Sequence, residues 1–231
     1  MFDQVARKYD TLNHVLSLGR DIAWRRQSLA NWAPASENAK VLDLCGGTGD
    51  FSLAWQKKVG AAFCVVGDFS LPMLAEAQRK GKRGPTQPQA KSMCVALDAM
   101  QLPFPEASFD VVVCGFGMRN LDSTVAGIAE VYRILKPGGT FLTLEFFRPI
   151  AWFPRFFYQI LAPLFIPIGG WLFGSKREAY TYLVESIRQF CTAPEYAEFY
   201  SIYGFEKIKI RSFDFGIAHA VSGVKPEEKH G

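Results

Sequence analysis

The sequence has few of the residues that build metal sites, disulfide frameworks or secretion signals. Its three histidines, at positions 14, 219 and 230, give a metal ion little ligand support. Its five cysteines are odd in number and have no CxxC spacing, which favours reduced, buried thiols over a disulfide framework. The N-terminus, MFDQVARKYD, lacks the apolar core of a signal peptide. We therefore expect no bound metal, no secretion and a cytoplasmic location.

Positive charge is not concentrated in any one region either. The net charge is +4, and the two small basic runs, at 20–26 and 79–83, are not interleaved with aromatic residues as a base-stacking surface would be. The pattern therefore argues against a nucleic-acid partner. Attraction to an anionic membrane surface fits the same charge equally well.

The chain of 231 residues, 49% of them hydrophobic, is long enough for one sizeable core, so we expect a single domain over 1–231. Short β-rich runs at 41–45, 62–67, 92–97, 109–114 and 140–146 alternate with helical or loop segments. This alternation predicts an α/β fold with a doubly wound, mostly parallel sheet. Apolar residues at helical spacing in 2–12 and 22–32 predict two N-terminal helices before the sheet.

The strongest local motif is VLDLCGGTGDF at 41–51, an apolar strand followed by a glycine-rich turn. A dinucleotide site has GxGxxG and a phosphate at the helix N-terminus, whereas this turn is GGxG followed by Asp50, which would repel a phosphate. The turn suits a cofactor that has no phosphate and carries positive charge, such as S-adenosylmethionine (SAM), which Asp43 or Asp50 would favour. The alternative is an ordinary tight strand-to-helix turn.

Acidic residues follow the next two strands. Asp68 is placed to accept hydrogen bonds from ribose hydroxyls, or else to cap the helix after it. Asp98 and the backbone N–H of Ala99 can read an adenine edge, or else form an Asx turn before Pro103. Because these features lie at successive strand ends, they are expected to converge on one crevice.

The fourth strand ends in CGFGMRNL, which places Gly115, Arg119 and Asn120 at the same edge of the sheet. Arg119 is either a surface residue in a salt bridge or a cation beside an ionising hydroxyl of the acceptor.

The run at 156–173, FFYQILAPLFIPIGGWLF, is about as long and apolar as a membrane span. Its two prolines and its glycine pair argue against a span. The alternatives are a core or dimer-packing segment, a lid over an apolar ligand and a membrane-contacting surface, so a homodimer and peripheral contact with the inner face of the membrane stay open. We assign 1–36 to an N-terminal helical lid, 150–190 to an apolar helical insertion and 225–231 to a flexible tail.

Taken together, these motifs resemble the ubiquinone and menaquinone biosynthesis C-methyltransferase family, in which demethylmenaquinone methyltransferases are found. The resemblance covers nearly the whole chain and is carried by FDQVARKYDTLNHVLSLG at 2–19, LDLCGGTGDF at 42–51, LPFP at 102–105, FGMRN at 116–120, YRILKPGGTFLTLEF at 132–146 and YTYLVESIRQF at 180–190. The glycine turn and KPGG are shared with many SAM methyltransferases, whereas the N-terminal segment, FGMRN and YLVESI are much more specific to this family.

The resemblance implies a Rossmann-like, SAM-dependent methyltransferase fold and methylation of a prenylated quinol at a ring carbon. By the same resemblance, Thr48, Asp68, Asp98, Ala99 and Gly115 line the SAM site, Gly46 and Gly49 shape the glycine turn, and Tyr9, Arg119 and Asn120 face the quinol. SAM is then the co-substrate and demethylmenaquinol the expected acceptor.

The chain departs from the family pattern at two places near the expected site. It has Asp21-Ile22 where the family usually has a His-Arg pair, and Gly115 where the family often has serine. These differences bear on acceptor preference more than on SAM binding. The alternatives are a SAM methyltransferase for another apolar small molecule and a non-catalytic SAM-binding scaffold of a quinone-biosynthesis assembly.

Overall fold

The computed structural model describes residues 17, 19–32, 38–59, 63–83, 92–150, 152 and 177–227. Its elements are α1 (Arg20–Trp32), β1 (Lys40–Leu44), α2 (Asp50–Val59), β2 (Phe63–Asp68), α3 (Leu71–Arg83), β3 (Ser92–Ala96), β4 (Phe109–Gly115), α4 (Thr124–Ile134), β5 (Leu135–Glu145), α5 (Arg177–Gln189), α6 (Ala193–Ile202), β6 (Glu206–Phe213) and β7 (Ala218–Val224). Short 3-10 turns follow β4 at Met118–Asn120 and β6 at Asp214–Gly216. The five predicted β-rich runs correspond to β1 to β5.

These strands form one seven-stranded sheet in the order β3-β2-β1-β4-β5-β7-β6. β1 to β5 pair in parallel, whereas β7 is antiparallel to both β5 and β6. The chain first builds outward from β1 to β3 and then returns to the other side of β1 with β4. Ligands of open α/β sheets bind outside the carboxyl ends of the strands at this switch point. The ends of β1 and β4 therefore lie side by side where the crevice was predicted.

The centre of the sheet is buried on both faces because helices cover both sides. Trp24 of α1 and Trp55 of α2 pack on one face in a cluster with Val111 of β4. Ile128 of α4 and Tyr196 of α6 belong to the cluster on the other face. Parallel strands that are covered on both faces contain nearly continuous apolar runs, as β1 and β4 do. The prediction of a doubly wound α/β sheet is confirmed.

The KPGG segment after α4 is an irregular part of β5 and not a separate turn. α4 ends at Ile134, and β5 begins at the next residue. The register pairs Phe109 with Leu135 and then Val111 with Thr140, so KPGG bulges out of the ladder. Gly138 has a φ of +77°, a conformation that glycine adopts without strain.

α1 buries part of the apolar stripe that the hydrophobic pattern predicts, together with charged residues that the pattern does not predict. Ile22 belongs to the expected apolar stripe but is 57% exposed, and that part of the prediction is wrong. The residues of α1 that are buried include Asp21, Trp24, Arg25, Ser28 and Leu29, spaced as one face of a helix. Two charged side chains therefore point inward beside the tryptophan.

Several predicted segments lie outside the described residues: the first N-terminal helix, the apolar run 156–173 and the end of the tail at 228–231. α5 falls within the predicted 150–190 insertion. No helix within the described ranges is long and apolar enough to span a bilayer. Lys225, the first residue of the predicted tail, donates from Nζ to the carbonyl oxygens of Tyr132 and Leu135 at 2.8 and 2.9 Å.

Candidate active site

The turn after β1 needs glycine at two positions for different reasons. A Cβ on Gly46 would lie 2.8 Å from the carbonyl oxygen of Asp43, which is too close for any side chain. Gly49 has a φ of +82° and donates its N–H to the carbonyl of Gly46 at 2.8 Å. α2 begins at the next residue. The turn is therefore tight, and its backbone lies at the carboxyl end of β1.

Asp43 fastens this turn to the start of α2. Its carboxylate is buried and accepts hydrogen bonds from the N–H and the hydroxyl of Ser52, at 2.9 and 3.0 Å. Burial raises the pKa of Asp43 to about 7, although the two bonds from Ser52 oppose that shift. The side chain borders the crevice, but its visible role is to hold strand and helix together.

Asp68 links the end of β2 to the glycine turn. One carboxylate oxygen accepts from the N–H of Gly47 and the other from the N–H of Ser70, both at 2.8 Å. The second bond is a local i, i+2 contact just before α3, which begins at Leu71. These two bonds fix the direction of the carboxylate, which borders the crevice.

Asp98 forms the Asx turn that was the other alternative. Its carboxylate accepts from the N–H of Met100 at 2.8 Å, and its carbonyl accepts from the N–H of Gln101 at 3.2 Å. The side chain is exposed at the rim of the crevice, while Ala99 beside it is buried. The local bond and a ligand-binding role are compatible, because the turn fixes the direction of the carboxylate.

A cavity of about 570 Å³ opens at the carboxyl ends of β1, β2 and β4. Its size falls in the range of pockets that enclose a small molecule. Of the predicted site residues, it is lined by Gly46, Thr48, Asp68, Asp98, Ala99, Gly115 and Asn120. Gly49 packs instead against Ala77 of α3, with 3.5 Å between its hypothetical Cβ and that side chain, so it shapes the turn from outside.

The charge of the cavity suits a ligand that carries positive groups. Its lining includes the five carboxylates of Asp43, Asp50, Asp68, Asp98 and Asp122. Lys80 approaches from α3 and donates to Asp50 and to the hydroxyl of Thr48, at 2.7 and 2.8 Å. An acidic cavity fits SAM, whose sulfonium and ammonium are cations.

Arg119 lies behind this cavity in a buried ion pair. Its Nη1 donates to Oε1 of Glu145 at 2.6 Å and to the carbonyl of Phe116 at 2.7 Å, and its Nε donates to the hydroxyl of Ser186 at 3.3 Å. The side chains of Arg119 and Glu145 are 6% and 0% exposed, so the surface salt bridge considered for Arg119 is wrong. Burial raises the pKa of Glu145, and the guanidinium of Arg119 opposes that shift.

Asn120 lines the cavity, and its amide is oriented from two sides. Its Nδ2 donates to the carbonyl of Phe116 at 3.3 Å, and its Oδ1 accepts from the hydroxyl of Tyr182 at 2.9 Å. Tyr182 and Ser186 are one turn apart on α5. The YLVESI segment therefore supplies the residues that hold Arg119 and Asn120, which the sequence did not reveal.

Arg25 also lines the cavity, and it was not identified from the sequence as a site residue. It was assigned to a small basic run of the kind that usually faces solvent, yet its side chain is 8% exposed. It pairs with Asp21 one helical turn earlier and lies beside Phe51 and Phe116. The acidic residue four positions before the arginine was the available signal.

Two further predictions concern Tyr9 and a bound metal ion. Tyr9, which was expected to face the quinol, lies outside the described residues. Within the part of the chain that the structure covers, no group of three or more His, Cys, Asp or Glu side chains is arranged to hold a metal ion.

Solved structures with a similar fold include SAM-dependent methyltransferases. One is a SAM-dependent methyltransferase from Thermotoga maritima, with a TM-score of 0.67 and 16% identity over 97% of this chain and 98% of that one. Another is a phosphoethanolamine N-methyltransferase from Haemonchus contortus, solved with S-adenosylhomocysteine, with a TM-score of 0.62 and 18% identity over 87% of this chain and 52% of that one. The fold is therefore the Rossmann-like fold of SAM-dependent methyltransferases.

Sequence comparison narrows the class to a family. Residues 1–225 match the model of the ubiE/COQ5 methyltransferase family. A demethylmenaquinone methyltransferase of Lactiplantibacillus plantarum is 39% identical over 97% of this chain and 94% of its own length. A ubiquinone/menaquinone biosynthesis C-methyltransferase of Ruegeria is 35% identical over 97% of this chain and 89% of its own length. The chain belongs to the ubiE/COQ5 methyltransferase family and is a methyltransferase.

Proposed function

We propose that this enzyme transfers the methyl group of SAM to a ring carbon of demethylmenaquinol. The observation that carries the proposal is the acidic cavity at the sheet switch point, whose lining includes Asn120 of the Met118–Asn120 turn. The acceptor is taken from the name of the Lactiplantibacillus plantarum relative, a demethylmenaquinone methyltransferase. A ubiquinol precursor is the second candidate, favoured by the Ruegeria relative.

In this proposal the SAM side of the cavity uses the first three strand ends. Asp68, oriented by two backbone N–H groups, accepts from the ribose hydroxyls. Asp98 and the N–H of Ala99 read the adenine edge, and Thr48 lies beside the glycine turn. Gly115 leaves backbone contacts at the end of β4, where a Cβ would lie 2.7 Å from the ring of Phe51.

The acceptor side uses the turn after β4. Asn120 holds an oxygen of the quinol ring, with its amide set by Phe116 and Tyr182. The guanidinium of Arg119 stabilises the anionic form of the quinol hydroxyl from behind the cavity wall, and Glu145 fixes the guanidinium in place. Tyr9 closes the N-terminal lid over the ring. Donors aimed where negative charge develops lower a reaction barrier most when water is excluded.

The chemistry requires little beyond position and charge. When bound, SAM supplies an electrophilic methyl group whose broken bond leaves its electron pair on sulfur. The protein holds the ionised quinol so that the ring carbon next to the anionic oxygen faces that methyl group. A carbon–carbon bond then forms, and the hydrogen on that ring carbon leaves as a proton to water. Asp68 is thus assigned to binding the methyl donor and Asn120 to binding the acceptor.

The experiment is an acceptor panel under reducing conditions. Labelled SAM is offered with short-chain demethylmenaquinol, demethylubiquinol and an unrelated phenol of similar apolarity, and the products are separated by mass. We expect turnover of demethylmenaquinol above the other two. Turnover of the phenol alone would assign the enzyme to another apolar substrate, and SAM binding without any product would support a scaffold.

We also propose that this enzyme meets its prenylated acceptor at a membrane surface. Ile150 and Trp152, which precede the apolar run 156–173, are 62% and 76% exposed. Aromatic and aliphatic side chains of this kind anchor proteins at the lipid interface. Trp152→Ala should reduce flotation with anionic vesicles, while Ile202→Ala, at an equally exposed site on α6, should not. Unchanged flotation of the Trp152 variant would remove this anchor.

A further inference from the structure

We propose that Arg25 binds the carboxylate of the amino-acid end of SAM, and that Asp21 holds Arg25 in position for this contact. The inference rests on the proposed SAM site and adds a residue to it. It starts from the charges of SAM, which has an ammonium, a sulfonium and a carboxylate. The two cations suit the aspartates of the cavity, but the carboxylate needs a cationic partner.

Arg25 is the one basic residue among the described residues that line the cavity. The lining has five aspartates, so a ligand carboxylate placed away from Arg25 would be repelled. Lys80 is already engaged by Asp50 and Thr48 and does not line the cavity. Charge complementarity therefore leaves a single place for the anionic group.

The guanidinium of Arg25 is held so that one edge is available. Nη1 is bound by the buried carboxylate of Asp21, which in turn accepts from the hydroxyl of Ser17 at 2.7 Å. The other edge consists of Nε and Nη2. Nη2 lies 3.9 Å from Oδ2 of Asp50, which is too long for a hydrogen bond. Nε and Nη2 have no hydrogen-bond acceptor among the residues that the structure describes, and together they match a carboxylate in bidentate fashion.

Two aromatic rings fix the plane of the guanidinium. Its central carbon lies 5.8 Å from the ring centroid of Phe51, at the start of α2, and 5.4 Å from that of Phe116, after β4. Nε lies 3.9 Å from the position that a Cβ would take on Gly115. Arg25 therefore sits where the glycine turn and the end of β4 meet, opposite the Asp98 side that is proposed to read adenine.

The test compares two ligands on each protein by calorimetry. S-adenosylhomocysteine is measured against its decarboxylated analogue, which has hydrogen in place of the carboxylate. We expect the wild type to bind the carboxylated ligand at least about 10-fold more tightly, the effect of a charged hydrogen-bonded pair. Arg25→Met should bring this ratio close to one. The matched control is Arg26→Met, an exposed neighbour on α1, which should keep the wild-type ratio.

Each variant serves as its own reference, so partial loss of folded protein does not change the ratio. Arg25→Met leaves the buried carboxylate of Asp21 without its cation, and this variant could fail to fold. In that case the double variant Asp21→Asn with Arg25→Gln, which removes both charges, replaces it, and the same loss of discrimination between the two ligands is expected. Equal ratios in the wild type and the Arg25 variants would overturn the inference. Failure of the wild type to bind either ligand would overturn the proposed SAM site as well, whereas discrimination without methyl transfer would overturn only the proposed reaction.

Discussion

The buried pair of Arg119 and Glu145 makes the structure testable by stability as well as by activity. Arg119→Met removes the guanidinium and leaves the carboxylate of Glu145 fully buried. Breaking a buried ion pair from one side costs about 3 to 5 kcal/mol. Glu145 keeps two backbone donors, the N–H of Phe146 at 2.8 Å and that of residue 119 at 3.4 Å. We therefore expect a loss near the lower limit, about 3 kcal/mol in free energy of unfolding at pH 7.

This loss should depend on pH in a defined direction. Burial raises the pKa of Glu145 above its ordinary value of 4.5 in the folded protein, and removal of Arg119 takes away a group that opposes the shift. A carboxyl with a raised folded pKa favours the folded state at low pH and disfavours it as pH rises through that pKa. Both proteins should lose stability as the pH rises above 4.5, and the difference between them should grow once the pH exceeds the raised pKa of Glu145 in the wild type, as measured by urea unfolding.

The control for that experiment is Arg119→Met combined with Glu145→Gln. The double variant should be more stable than the single variant at pH 7, and its stability should lose the pH dependence contributed by Glu145. His219 is the cross-strand partner of Glu145, and burial lowers its pKa. Any contribution from His219 remains in the double variant and cancels in the comparison. The reasoning would be refuted if the stability difference between the single variant and the wild type did not change with pH. It would also be refuted if the double variant were no more stable than the single variant at pH 7.

Three other predictions concern packing and reactivity. Gly117→Ala should destabilise the protein by about 1 to 3 kcal/mol, because its Cβ would lie 2.3 Å from that of Cys45. The control is Gly81→Ala in α3, where no atom lies nearer than 3.6 Å to the added Cβ, and this change should be neutral or stabilising. Thermal unfolding that ranks the two variants in the opposite order would contradict this prediction. Thr143→Val should lower the free energy of unfolding by about 1 to 3 kcal/mol, as measured in urea, because the Thr143 hydroxyl forms hydrogen bonds with the buried hydroxyls of Tyr196 and Tyr200 at 3.0 and 2.9 Å. An unchanged midpoint of unfolding would show that the two tyrosines find other partners. Burial raises the pKa of Cys64 to about 12, so this thiol should resist alkylation at pH 8 until the protein is unfolded, and rapid labelling of the native protein would contradict its burial.

The strands and the cofactor side of the site could be predicted because local chemistry determines them. Apolar β-branched runs bounded by glycine indicate buried parallel strands, and the topology of such a sheet brings strand ends to one edge. Asp68 and Asp98 could be named for that reason. The Asx turn considered for Asp98 is also formed, and Asp68 accepts a local bond from Ser70, so backbone N–H groups aim both carboxylates.

The surroundings of the two arginines could not be predicted by the same means. Arg119 pairs with Glu145 at the end of β5, and its Nε donates to Ser186 on α5. Such contacts depend on tertiary packing, which no local spacing reveals. Arg25 lies on a helix whose buried face carries charge, and hydrophobic periodicity assigns charged residues to solvent. In this protein Arg25 pairs instead with Asp21 on the same buried face of the helix.

The central claim is methyl transfer to a quinol ring carbon, and the most direct measurement is the position of the transferred methyl group. The enzyme is incubated with deuterium-labelled SAM and reduced demethylmenaquinone, and the product is mapped by fragmentation and NMR. The account predicts a labelled methyl group on the ring carbon next to a quinol oxygen, and loss of that product when Asp68 is replaced by asparagine or alanine. A methyl group on a quinol oxygen, or no labelled product despite measurable SAM binding, would contradict it.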